Sequence, residues 1–357
     1  MDRTATPLTS RGAAARSSDK RRFRVKRGLA YFIALACLVW VFHDIHAGRL
    51  LAAMSITNWR FVALAVIVDI LTYVLQGVRW KLLLAPVGRL SWLRSTQGIY
   101  AGLFTNELVP FRLGELVRAF LVSRWLSSQF TVVLPSIIVE RFLDAFWLAG
   151  AIELAAILVP LPKEFIKAGY ALGAIVLLMA SLFLWLVFRN ELVFRNEKQL
   201  QHTAESRASR VLRGVGRFAS QLAHGLRDIR GSHRILLAAL LSAGMLGFQV
   251  LALWFVMLAC RIDLPLRAGA IVLLIVRLGT AIPNAPANVG SSQLFTVLAL
   301  SMFGVEKTVA AGFSIVYFLT LTAPLWVIGL FAISAAGMNL STLRSEAAAL
   351  RYDSGPS

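Results

Sequence analysis

The sequence predicts an all-α polytopic membrane protein, with about six full transmembrane helices and two re-entrant helical hairpins that enter from opposite faces. Three observations carry this reading. Hydrophobic residues make up 58% of the 357 and charged residues only 15%, where soluble domains average about 45–50% apolar and about 25% charged. Apolar runs long enough to cross a bilayer recur along the chain. The lysines and arginines that produce the net charge of +19 are spread unevenly over the connecting loops.

Residues 1–27 are rich in Arg, Ser, Thr and Ala and end in KRRFRVKR. Such a tail is disordered and drawn to anionic lipid headgroups. Arg21-Arg22-Phe23 faintly resembles an export signal, but no A-x-A type cleavage site follows the first apolar run, so that run is read as an uncleaved span. The spans are 28–42, 61–78 (interrupted by Asp69), 131–159 (with four charges), 168–188, 235–260 and 308–343. The first is short, and its flanking basic residues can snorkel.

Two further apolar segments, 95–125 and 268–303, are broken in the middle by proline and glycine. Each half is only about 15 residues, too short to cross at 1.5 Å per residue. If both segments turn back, residues 1–27, 79–94, 189–234 and 344–357 lie inside and hold 25 Lys and Arg, against 7 in the outer loops. If both cross, the loop 189–234 with its ten basic residues moves outside. The positive-inside rule favours the re-entrant arrangement, with both termini cytoplasmic. The membrane domain is then 28–343, followed by a cytoplasmic tail, 344–357. Opposed broken hairpins are the device by which inverted-repeat transporters build a midplane site.

Within the loop, Val211, Val215, Phe218, Leu222, Leu226 and Ile229 recur at steps of three and four, flanked by arginines. Residues 206–230 are read as an amphipathic helix on the anionic inner leaflet, in preference to one packed on its own protein. The excess positive charge is thus a topological signal, and nucleic acid is not an expected partner.

Charges inside the membrane are costly and should pair or face water. In NELVPFRLGELVR, Glu115 and Arg118 stand three apart on a helix and can pair. Arg112 sits in the break, beside the free N–H groups of the second arm, where an anion would be favoured. Arg112 and Arg118 therefore form either a phosphate or carboxylate cradle or an interfacial anchor. IVERFLDAF places Glu140 and Asp144 on one face beside Arg141. One acid pairs with Arg141, and the other either pairs with Arg112 or Arg118, as a structural ion pair fastening the span to the first hairpin, or takes up protons. Arg277 is the only charge between 268 and 303. Asp69 and Glu153 are its candidate partners. Asn284 and Asn288, in IPNAPANVG, can bond a headgroup or satisfy the broken backbone.

Neither the five histidines nor Cys37 and Cys260 show metal spacing, and no nucleotide or hydrolase motif is present, so no cofactor or enzymatic activity is expected.

The runs GLFTNELVPFRLGELVRAFLVSR, VERFLDAF and IPNAPANVGSSQLF, followed by a long final span, resemble the lysylphosphatidylglycerol synthase transmembrane family, also called flippase-like or UPF0104. The resemblance covers about residues 28–340. Its most specific part is Pro110, Arg112, Gly114, Glu115 and Arg118, followed by Glu140, Arg141 and Asp144. It implies a bacterial inner-membrane protein with paired re-entrant segments and a role in lipid translocation. Full-length synthases carry a soluble aminoacyl-transferase domain after the membrane part. A chain of 357 residues leaves no room for one, so aminoacylation of lipid is not expected. Other stand-alone members accompany lipid-biosynthesis pathways, which makes such an enzyme a candidate partner. The second hairpin departs from the pattern, with Ala287, Asn288 and Ser291 where relatives carry more glycine.

Three functions remain open: a lipid transporter using Arg112, Arg118, Glu115, Glu140, Arg141, Asp144, Arg277, Asn284 and Asn288; a non-transporting partner that presents lipid to a synthase or glycosyltransferase; and a small membrane transferase. The topology is testable directly. Cysteines introduced singly within 206–230 should resist a membrane-impermeant thiol reagent in intact cells and react in inside-out vesicles.

Overall fold

Helix α3, Trp59–Leu84, is the axis of the protein. Asn58 caps its start by accepting from the Arg60 N–H at 3.2 Å, and Ala85-Pro86 ends it because proline cannot continue the backbone ladder. In the computed structural model, which describes residues 31–55, 58–109, 113–158, 233–281 and 285–337 with scattered positions in 163–181, every regular element is helical. The expectations for 1–27, 206–230, 344–357 and most of 168–188 lie outside the described residues.

The helices are α1 (Tyr31–Phe42), α2 (Ala47–Ser55), α3, α4 (Trp92–Leu108), α5 (Gly114–Trp125), α6 (Phe130–Leu158), α7 (His233–Ala259), α8 (Leu266–Gly279), α9 (Ser291–Ser301) and α10 (Lys307–Ala335). A 3₁₀ turn, Pro286–Asn288, precedes α9. Three of them, α3, α7 and α10, are long and apolar enough to cross a membrane. Helix α6 matches α10 in length, at 29 residues, but carries Glu140, Arg141, Asp144 and Glu153.

Both broken segments are helix pairs. Helices α4 and α5 pack on each other, as do α8 and α9. Their 17, 12, 14 and 11 residues give lengths of about 16–26 Å, less than the roughly 30 Å of a hydrocarbon core. Helix α3 packs against α7, α4, α10 and α6. The larger apolar core joins α7, α8, α9 and α10 through residues such as Met257, Val272, Leu300 and Phe313. A smaller one surrounds Trp80 with Ile99, Val122 and Val133.

Two glycines explain the hairpin geometry. A side chain at Gly114 would strike the carbonyl oxygen of Gly102 and the amide of Asn106, so the arms of the first hairpin touch backbone to backbone there. Leu113 offers α5 no cap. Asn106 supplies one across the hairpin, its Oδ1 accepting from the Gly114 N–H at 2.7 Å. In the second break Gly290 has φ 88° and lies against the Ala34 backbone of α1. Ala287 and Asn288 are also left-handed, at φ 57° and 53°, which costs roughly 1–2 kcal/mol at a non-glycine residue. The 3₁₀ turn of this break packs against α4, so the second break meets the first hairpin.

One expectation is corrected. Arg79 was counted with the basic loop 79–94, but α3 continues to Leu84 and Arg79 is fully buried within it. A charge-counting rule cannot separate a flanking arginine from one held by internal acids.

The close approach of the arms predicts that Gly114→Ala lowers stability by about 1–3 kcal/mol through overpacking. Gly150→Ala, where an added Cβ meets nothing within 4 Å, should be neutral or slightly stabilising. Thermal unfolding of the purified variants in detergent measures both.

Candidate functional site

Six charged side chains from three helices meet beside α3's buried end. Arg79 of α3 and Glu140 of α6 have no exposed side-chain surface and lie 3.2 Å apart. Arg118 of α5, only 4% exposed, donates from Nη1 to both oxygens of Glu140 at 3.0 and 3.1 Å. Arg79 also pairs with Asp144 and donates to Ser242 Oγ of α7 at 2.7 Å. Gln76 Nε2 donates to Glu140 Oε1 at 2.9 Å. Arg141 completes the set, 3.2 Å from Glu115, 3.7 Å from Glu140 and 3.8 Å from Asp144.

The three arginines balance the three carboxylates formally. Two unit charges 4 Å apart attract by about 4 kcal/mol at an effective dielectric of 20, enough to offset much of the cost of burying them. The network is graded. Glu140 and Arg79 are sealed, while Arg141 (47% exposed), Asp144 (34%) and Glu115 (23%) form its open side.

Local sequence explains the convergence. Asp69, Thr72, Gln76 and Arg79 recur at three- and four-residue steps and are all buried, a polar stripe along α3. Trp80, next on the helix, lays its ring 4.8 Å from the Arg118 Cζ and anchors its own N–H on Ser136 Oγ at 3.0 Å.

A second polar group lies farther along the same stripe. Asp69 and Tyr73 of α3, Tyr100 of α4 and Tyr317 of α10 interact electrostatically, with Arg277 of α8 as the cation acting on Asp69. The rings of Tyr73 and Tyr100 meet edge to face at 5.5 Å. Asp69 Oδ2, Tyr100 Oη and Glu107 Oε2 are buried with no hydrogen-bond partner among the described residues. Asp69 and Arg79 are ten residues apart on α3, about 15 Å along its axis.

Among the predicted residues, Glu115, Arg118, Glu140, Arg141 and Asp144 come together. Arg118 bonds Glu140, one of the pairings open to the acids of α6, whereas Glu115 takes Arg141 and not Arg118. Arg277 lies within electrostatic reach of Asp69, one of its two candidate partners. Asn288 stays in the second break, where its carbonyl accepts from Ser291 Oγ at 3.0 Å. Arg112 and Asn284 lie outside the described residues. Sequence reasoning missed Arg79, Gln76, Ser242 and Asn106. The helical spacing of 69, 72, 76 and 79 is the signal that could have found the first two. Nothing in the sequence pairs Ser242 with Arg79. No group of three or more potential metal ligands occurs among the described residues.

A family model described as lysylphosphatidylglycerol synthase TM region matches residues 28–329. A UPF0104 membrane protein of Methanothermobacter thermautotrophicus is 23% identical over 301 residues, covering 81% of this chain and 86% of its own. One from Methanocaldococcus jannaschii is 21% identical over 293 residues, covering 79% and 85%.

Burial makes Glu140 the critical partner. Glu140→Gln leaves Arg79 and Arg118 without their shared anion and should destabilise by roughly 3–5 kcal/mol. Arg141→Gln, on the open side, should cost at most about 1 kcal/mol. Chemical unfolding in mixed micelles reads the difference.

Proposed function

The chain belongs to the lysylphosphatidylglycerol synthase transmembrane-region family, and from that premise we propose that it is a lipid transporter that takes a polar or anionic headgroup between its two broken hairpins. In this reading six helices cross the bilayer and the pairs α4–α5 and α8–α9 are re-entrant from opposite faces. Both termini are cytoplasmic, and residues 1–27 and 206–230 rest on anionic lipid. The membrane is the inner membrane of a bacterium, although the two relatives compared above are archaeal. No covalent chemistry is performed.

The observation that carries the reading is the contact between the second break, Pro286–Asn288, and helix α4 of the first hairpin. An irregular backbone segment such as this second break is tolerated at membrane depth only where protein or water covers it, and α4 supplies part of that cover. Charged and polar side chains of α3, α5, α6 and α8 supply the remaining groups in this reading. Arg118 and Arg277 offer the cations for a headgroup, and Glu115, Arg141 and Asp144 offer a partly open polar wall. Arg112, Asn284 and Asn288 belong to the breaks themselves. Alternating access would then expose this region to each side in turn.

A second reading has its own support. Glu140, Arg79 and Arg118 are buried in a charge-balanced set, the form of a fastening between helices. A protein so fastened could present a lipid to a synthase or glycosyltransferase without moving it.

Reconstitution separates the two. Liposomes containing the purified chain and fluorescent phospholipids should show lipid crossing between leaflets, and Arg277→Ala should slow it at least about ten-fold, as expected for a lost charge-assisted contact, with unfolding temperature unchanged. Absence of movement for every headgroup tested, together with co-purification of a lipid-modifying enzyme, would establish the presenting role instead.

A further inference from the structure

Among the described residues, Asp69 is the one buried charged side chain outside the network around Glu140. It is 3% exposed, and its Oδ2 meets no donor among the described residues. The groups that face it come from four helices. Tyr73 lies one turn along α3, Tyr100 is on α4, Tyr317 on α10 and Arg277 on α8. Glu107 of α4 reaches the same cluster through Tyr73. Its Oε2 and the Tyr100 hydroxyl are also buried without a partner among the described residues. Helix α7 packs along α3, but its only titratable groups, His233 and Arg234, lie beyond Ser242 at the Arg79 end. Of the charges on α6, three are engaged around Arg79 and Glu153 lies against Gly169. Burial is graded across the cluster: Asp69 and Tyr100 are sealed, Tyr73, Glu107 and Tyr317 are half-buried, and Arg277 is exposed.

We propose that Asp69 binds and releases a proton in step with an anion on Arg277, so that anion and proton are taken up together. The inference rests on the headgroup reading above and deepens it by naming the ion coupled to transport. Charge conservation at low dielectric carries it. With Asp69 ionised, Arg277 is the cation within its reach and the pair is neutral. An anion on Arg277 takes over that cation and leaves a sealed carboxylate uncompensated, which is strongly unfavourable. One proton added to the carboxylate oxygen restores neutrality. That proton comes from water and returns to it, and no other bond is made or broken. The protonated carboxyl gains an O–H donor, and the Tyr100 hydroxyl beside it can accept. The hydroxyls of Tyr73 and Tyr317 both donate and accept, so they suit a relay from the sealed carboxyl to the open side of the cluster. A metal cation fits less well: no three potential ligands gather among the described residues, and Arg277 would repel it. By linkage, whatever neutralises Arg277 favours the protonated form of Asp69, and the proton favours the anion equally.

Infrared spectra of the full chain in detergent, recorded through a pH titration, test the site without any lipid. The wild type should show a carboxylic-acid carbonyl band that grows on acidification and is lost in Asp69→Asn. Arg277→Gln imitates a cation already taken by an anion, and there the band should persist about one pH unit or more further into alkali. The proposal is overturned if no titrating band depends on Asp69, or if Arg277→Gln titrates like the wild type. If Asp69→Asn does not fold, the comparison of Arg277→Gln with the wild type decides alone. A Na⁺-dependent thermal shift lost in Asp69→Asn, with no titrating band, assigns the site to a metal cation and also overturns it. Coupling is read in phosphatidylcholine liposomes carrying fluorescent phosphatidylglycerol. A proton gradient should drive the labelled lipid against its own leaflet gradient in the wild type, and Asp69→Asn should lose that uphill movement. Lipid movement that ignores the proton gradient overturns this inference and leaves the transport reading standing. An Asp69 band that responds to Arg277, with no movement of any lipid, upholds the linked proton site and removes the transport reading.

Discussion

A carboxylate with no exposed surface, Glu140, sits among three arginines carried on α3, α5 and α6, and much of the architecture is arranged around keeping it there. An isolated ion at that depth would be intolerable, so each cation must arrive from its own helix at hydrogen-bonding distance. Arg79 brings α3 and, through Ser242, α7. Arg118 brings the second arm of the first hairpin. Gln76 fills the remaining lone-pair direction on Oε1. The apolar clusters provide adhesion that tolerates sliding. The ion set fixes register, because a turn of displacement on any of these helices would strand a charge.

The two breaks solve a different problem. A helix that stops inside apolar surroundings leaves backbone groups without partners. The first hairpin answers with Asn106, which reaches across from α4 to cap α5, made possible by the Gly102–Gly114 contact. The second answers locally. Gln293 accepts from the Gly290 N–H at 2.7 Å, and the Ser291 hydroxyl donates to the Asn288 carbonyl. Left-handed Ala287 and Asn288 keep this turn tight at some cost in strain, where a glycine would relax it. Both devices free side-chain positions near the breaks for polar groups, and the contact of the second break with α4 joins them.

Much of this was legible from the residues. The broken segments, the spans they interrupt and the acids of VERFLDAF all stand out against an apolar background, because a charge or a proline is conspicuous there. Five of the candidate residues, Glu115, Arg118, Glu140, Arg141 and Asp144, meet in one ion network. The errors share a cause. Arg79 looked like the positive flank of a span, since its hydropathy context is one-sided, while its partners lie on a helix more than sixty residues away. Glu115 and Arg118 looked like a pair because spacing on one helix is visible in a sequence and contact between helices is not.

The sequence by itself determined the class of protein, the long apolar helices and the placing of both breaks, because bilayer thickness, helix rise and the chemistry of proline and glycine act on local stretches of chain. Only the tertiary structure decided which charges meet: that Glu140 is shared by Arg79 and Arg118, and that Arg141 reaches Glu115 on another helix. Coulomb attraction and desolvation depend on distance in space and on what excludes water, and both are set when helices distant in sequence pack together.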